Sequence, residues 1–266
     1  MADMRDLAEG VVKKELHVFY VLDTSGSMTG APIAALNDAM RDTVNELAEI
    51  SKTSADAAFK LAVMEYNSTS RWVTMGDNGL EEMEDFIWSD LQANGMTALG
   101  SALTELNNKL SRNAMMKSPT GNKIPVIIFM SDGYPNDNWE QPLNELKNNK
   151  WYNAAIKIAF ALGDDADAGI LAQVVGSSEA VIKTTNLSAF KNMIRIASVT
   201  ASLAASTSRT TTAGVTGADV VGQVTGGSGE KDPSGGIVID DDFEDVDIDI
   251  YTDDSPIDID GLDDFS

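Results

Sequence analysis

The sequence predicts an α/β domain, a doubly wound and mostly parallel sheet with helices on both faces. Three observations lead there. Nearly continuous apolar runs recur at 16–22 (LHVFYVL), 125–130 (PVIIFM) and 154–162 (AAIKIAFAL). Strands buried on both faces read this way, and such strands belong to parallel sheets. Between the runs lie segments with an apolar residue every three or four positions, the period of a helix that buries one face. The two kinds alternate, which places helices on either side of one sheet.

Each element follows from local chemistry. After the first strand, the polar loop 23–30 leads into a helix over 32–50, with Ile33, Leu36, Met40, Val44 and Leu47 on one face and Pro32 in its first turn. Residues 59–66 (FKLAVMEY) form the next strand. The turn-like 67–70 pairs it with a short strand at 71–75. A helix is expected over 80–90. Gly95 breaks the chain, and a helix resumes over 99–110. A loop at 118–123 precedes the strand 125–130. Then come a helix over 139–148, the strand 154–162, a short helix at 170–175, a strand at 180–183 and a last helix over 187–205. Residues 14–205 thus make one domain.

Beyond it the periodicity stops. Residues 206–236 are rich in Ser, Thr and Gly and read as a flexible linker. Residues 237–266 hold 13 of the 42 acidic residues and no Lys or Arg. Such a composition cannot bury a core, so this tail is expected to be disordered. Its alternation of Ile and Val with Asp admits three roles. It solubilises, or it adds as a strand to a partner's sheet, or one of its carboxylates returns to the domain. The cluster Thr210 to Thr212 beside Arg209 is a candidate kinase substrate.

The formal net charge of −23 argues against nucleic acid or an anionic membrane as partner. With no cysteine there are no disulfides, thiolate chemistry or thiolate zinc. No segment approaches the roughly 20 apolar residues of a membrane span. The run 16–22 is too short and too late for a signal peptide. A cytoplasmic location is expected.

In an open α/β sheet, ligands sit beyond the carboxyl ends of the strands. Two polar loops lie there. The first, Asp23-Thr24-Ser25-Gly26-Ser27, offers one carboxylate and two hydroxyls, with Gly26 allowing a close fold. The other, Ser131-Asp132-Gly133, offers a second carboxylate, and Gly95-Met96-Thr97 adds a hydroxyl before a helix. Hard oxygen donors of this kind suit Mg²⁺.

DTSGSM after a buried strand, GMTALGSAL further on and FMSDGYPND beyond it resemble the von Willebrand A domain family. The resemblance covers roughly residues 14–205. It implies a Rossmann-like fold whose mostly parallel sheet has one short antiparallel edge strand. It also implies a metal-ion-dependent adhesion site at Asp23, Ser25, Ser27, Thr97 and Asp132, binding Mg²⁺ or Mn²⁺. In the family the hydroxyls usually bind directly and some carboxylates act through water. Which of Asp23 and Asp132 is direct stays open. Such a site implies a partner protein that completes the metal's shell with an Asp or Glu.

Within the family, the opening and the SDGYPND loop look like the bacterial tellurium-resistance type. That implies a cytoplasmic adaptor in a stress or phage-defence complex, with a protein kinase and a phosphatase as partners. Two alternatives are a metal-dependent phosphohydrolase and an adaptor for an AAA+ ATPase. An enzyme is not expected, because no nucleophile, base or phosphate-binding loop can be assembled. His17, the single histidine, reads as structural. Asp245, Asp247 and Asp249 mimic a calcium loop, but Ile250 and Pro256 stand where it needs Gly and Glu. Tyr134 and Trp139 are candidates for a partner-facing rim.

Overall fold

The computed structural model describes residues 13–76, 79–207, 215–227, 230–233 and 235–239. The central strand, β1 (Lys14–Asp23), is buried from Leu16 onward. Alternate residues supply opposite faces, as the strand period of two requires. Leu16, Val18, Tyr20 and Leu22 join one core layer, and Phe19 and Val21 join the other.

Parallel to β1 lie β2 (Ala57–Tyr66) on one side and β5 (Val126–Ser131) on the other. The sheet continues in parallel through β6 (Ile156–Leu162) and β7 (Val181–Thr184). At one edge, β2 carries two short antiparallel strands, β3 (Ser70–Trp72) and β4 (Glu81–Glu82). At the other, β9 (Ile237–Val238) pairs parallel with β7, and β8 (Glu230–Lys231) closes antiparallel on it. The order is β3-β2-β1-β5-β6-β7-β9-β8, with β4 also on β2. The sheet is mostly parallel as expected, but three short antiparallel strands replace the single one implied by the resemblance.

Three helices cover the first face: α1 (Ala31–Thr53), α6 (Leu187–Thr207) and α7 (Gly217–Val224). Opposite them lie α2 (Leu99–Lys109), α3 (Glu140–Leu146), α4 (Lys150–Ala154) and α5 (Ala168–Val175). Pro32 does sit in the first turn of α1.

Two expectations fail. Residues 80–90 are not a helix. They hold β4, a turn and irregular chain, with Met83 and Trp88 buried, Ile87 exposed, and Leu91 just beyond them buried as well. The reason is tertiary. Lys60 and Leu61 of β2 offer a free edge to Glu81 and Glu82. Asn37 on α1 supplies the bonds a helix would have made internally. Its Oδ1 accepts from Leu91 N at 2.8 Å and Trp88 Nε1 at 3.2 Å, and its Nδ2 donates to Leu91 O at 3.0 Å.

The second failure lies in 206–236, read as linker. Its described residues include α7, which buries Val220, Val221 and Val224. A reciprocal cap starts this helix. Thr216 Oγ1 accepts from Asp219 N at 3.2 Å, and Asp219 Oδ2 accepts from Thr216 N at 2.7 Å. Of the acidic tail, Ile237 and Val238 form β9, and Ile239 N just after them donates to Lys183 O at 3.0 Å. Residues 240–266, and Thr210 to Thr212, lie outside the described residues. No helix among the described residues is long and apolar enough to cross a membrane.

Candidate metal centre

At the carboxyl edge of the sheet, β1 ends on Asp23 and β5 ends just before Asp132. Parallel neighbours bring the two acidic loops side by side. Asp23 is fully buried, and each of its oxygens has a partner. Ser25 N donates to Oδ1 at 2.9 Å, and Ser131 Oγ donates to Oδ2 at 2.6 Å. Ser25 Oγ lies 3.0 Å from Ser27 Oγ, which donates to Asp132 Oδ1 at 2.9 Å. A chain of oxygens thus crosses from the first loop to the third.

Gly26 permits a close approach, and Gly133 marks where two hydroxyls meet. A side chain on Gly26 would begin 3.2 Å from the Gly95 carbonyl, which already accepts from Gly26 N at 3.0 Å. One on Gly133 would begin 3.6 Å from Ser27 Oγ and 3.9 Å from Thr97 Oγ1, so these two hydroxyls flank one point in space.

Thr97 is held by the third loop. Asn136 Oδ1 accepts from Thr97 N, and Thr97 O accepts from Asn136 N, each at 2.9 Å. Asp137 then caps α2 from outside. Its two oxygens accept from Gly100 N and Ser101 N at 3.0 Å, satisfying donors that a helix start leaves open.

Ser25, Ser27, Thr97 and Asp132 line one cleft of about 660 Å³, with Asp23 beneath them. All five residues expected from sequence are therefore together. Ser131, Asn136 and Asp137 position them and were not singled out as such. FMSDGYPND contains all three, but their partners are remote in sequence, so only the folded chain reveals the bonds. Tyr134 stands exposed at the cleft, whereas Trp139 is buried in the core beneath α3 and is no rim residue. Its indole is too large an apolar surface to leave in water once α3 offers a place for it. His17 is buried near the far end of β1, with Nε2 3.1 Å from Glu15 Oε2 and Nδ1 3.2 Å from Met116 Sδ.

The electrostatics indicate what is wanted here. Burial pushes the Asp23 carboxyl above the usual carboxylate range. Burial, and then the neighbouring Asp23 charge, push Asp132 up to about 6. Among the described residues, none that lines the cleft is basic. Two buried carboxylates facing each other without a cation are costly. Among the described residues no three His, Cys, Asp or Glu converge, so a cation here must lean on hydroxyls. An all-oxygen set of two carboxylates and three hydroxyls suits a divalent cation with an affinity for oxygen.

Residues 17–197 match the family model described as von Willebrand factor type A domain, more than half of the chain. The chain belongs to this family. A curated relative of the von Willebrand A chain is human inter-alpha-trypsin inhibitor heavy chain H6, 24% identical over 172 residues, covering 61% of this chain and 12% of the relative. Solved structures agree in fold. A von Willebrand factor type A protein from Catenulispora acidiphila has a TM-score of 0.54 at 16% identity, over 71% of this chain and 43% of that one. Proximal thread matrix protein 1 from the mussel byssus, described with a zinc-occupied MIDAS motif, has 0.52 at 16%, over 69% and 47%. The pilus adhesin SpaC of Lactobacillus rhamnosus GG has 0.55 at 14%, over 70% and 30%. The von Willebrand A chain thus spans less than half the length of each. Family members commonly serve as interaction or adhesion modules.

Proposed function

We propose that this chain is a metal-dependent protein-interaction module. Asp23, Ser25, Ser27, Thr97 and Asp132 hold one Mg²⁺ or Mn²⁺, and a partner's Asp or Glu completes the ion's shell. One observation carries the reading. Ser25 and Ser27 link two buried carboxylates in an open cleft, and none of the described residues lining it is basic. A shell with few carboxylates leaves the ion strongly electrophilic, which favours an incoming carboxylate. A bound ion would supply that contact from the open cleft that Ser25, Ser27, Thr97 and Asp132 line. The zinc described for the mussel protein supports divalent binding at such a motif; the oxygen donors here favour a harder ion.

The resemblance to the tellurium-resistance type extends the proposal to a cytoplasmic bacterial adaptor in a stress or defence complex with a kinase and a phosphatase. Residues 14–205 are its metal-binding domain.

Mn²⁺ titration followed by electron paramagnetic resonance tests the site. Asp132→Asn and Thr97→Ala are each expected to weaken Mn²⁺ binding at least about tenfold while keeping a cooperative thermal melt. Undiminished Mn²⁺ binding in both variants sinks the assignment. Pulldown from the host with Mg²⁺ or EDTA then identifies the partner.

A further inference from the structure

The cleft has two unlike ends, and the sheet order sets their direction. Met96 lies on the β2 side, where its N donates to Ser68 Oγ at 3.1 Å in the loop after β2. Tyr134 follows Asp132 in the loop after β5, which leans back over Thr97, Met96's neighbour, because Asn136 pairs with Thr97 in both directions at 2.9 Å. Both line the cleft and are exposed, 57% and 62%. Asp164 and Asp165 line it from the loop after β6, the next strand outward. Both are exposed, and neither has an ion-pair partner among the described residues. The oxygen cluster lies between these ends, at the tips of β1 and β5.

An exposed Met and an exposed Tyr beside a polar site offer a seat for an apolar side chain, residue types that are enriched in interfaces. Unpaired carboxylates in a cleft without basic residues attract a cation. We infer that the cleft selects a partner segment whose metal-binding carboxylate is flanked by an apolar side chain seated on Met96 and Tyr134 and by a Lys or Arg facing Asp164 and Asp165. The inference rests on the metal-dependent reading above and adds the partner's chemistry to it. It also disfavours a purely acidic segment as occupant, including one from this chain.

The test uses full-length protein in Mg²⁺ and fluorescence anisotropy with short labelled peptides. The core sequences are Leu-Asp-Lys, Leu-Asp-Glu, Ser-Asp-Lys and Leu-Asn-Lys, each made in both chain directions. In the better direction, Leu-Asp-Lys is expected to bind about tenfold tighter than Leu-Asp-Glu and about threefold tighter than Ser-Asp-Lys. Replacing both acids, Asp164→Asn with Asp165→Asn, should bring the Lys-to-Glu ratio close to one. Replacing Met96→Ser with Tyr134→Ser should do so for the Leu-to-Ser ratio. These are ratios within one protein, so a general loss of folding does not mimic them. Ratios near one in the wild type, or ratios that survive the variants, overturn the inference alone. Equal binding of Leu-Asn-Lys and Leu-Asp-Lys, or no binding by any peptide, overturns the metal-dependent reading and this inference with it.

Discussion

Ser131 shows how a single hydroxyl carries part of the site. Its Oγ donates to the inner oxygen of fully buried Asp23 at 2.6 Å. A hydrogen bond to a charged group is worth about 1.5–3 kcal/mol, and losing it strands a buried carboxylate. Ser131→Ala is therefore expected to lower folding stability by about 2 kcal/mol in EDTA. Added Mg²⁺ should recover part of that, because the ion takes over the role of donor. Denaturant melts with and without Mg²⁺ read both numbers, and equal losses in the two conditions would show that no ion compensates. The oxygens themselves were legible in the sequence because Asp23, Ser25 and Ser27 occupy one short loop. Ser131 as positioner was not, since its partner lies 108 residues away.

At the scale of elements, α2 is the lever that aims Thr97. Its first turn presses on the loop after β5 so closely that a side chain on Gly100 would begin 2.3 Å from Asn138 O. That atom is backbone and cannot rotate away. Gly100→Ala is expected to cost about 1–3 kcal/mol by overpacking. It should also weaken Mn²⁺ binding several-fold, because the displaced loop carries Asn136 and Asp137, which fix Thr97 and the helix start. Calorimetric titration beside a thermal melt checks this, and lost stability with intact Mn²⁺ affinity would uncouple α2 from the site. Long elements with a strong period, such as β1, α1 and α6, were readable from sequence. Residues 80–90 were not, because Asn37 and the edge of β2 decide their course. The helix α7 was hidden by surrounding Ser, Thr and Gly, although Thr216 and Asp219 carried a capping signal that pointed to it.

For the whole molecule, the question is where the domain ends. Residues 14–205 contain the oxygen-lined cleft, and the family match stops at 197, yet the folded unit runs on. Val220 and Val221 are fully buried, Val224 is 3% exposed and Ile239 5%. These four join the same core layer as α1 and α6. The sheet extends over them too, with Thr184 Oγ1 donating to Ile239 O at 3.1 Å. Each buried aliphatic side chain stabilises by about 1.5–3 kcal/mol as an upper estimate. Four of them rival the roughly 5–15 kcal/mol that holds a typical domain together. A chain ending at Thr207 is therefore expected to melt at a much lower denaturant concentration than one ending at Ile239, or to be insoluble. The chain ending at Ile239 should match the full length, since it retains every buried group described here. Equal midpoints for the chains ending at Thr207 and Ile239 would make α7 and the β8–β9 pair dispensable, and would return residues 206–236 to the role of a linker.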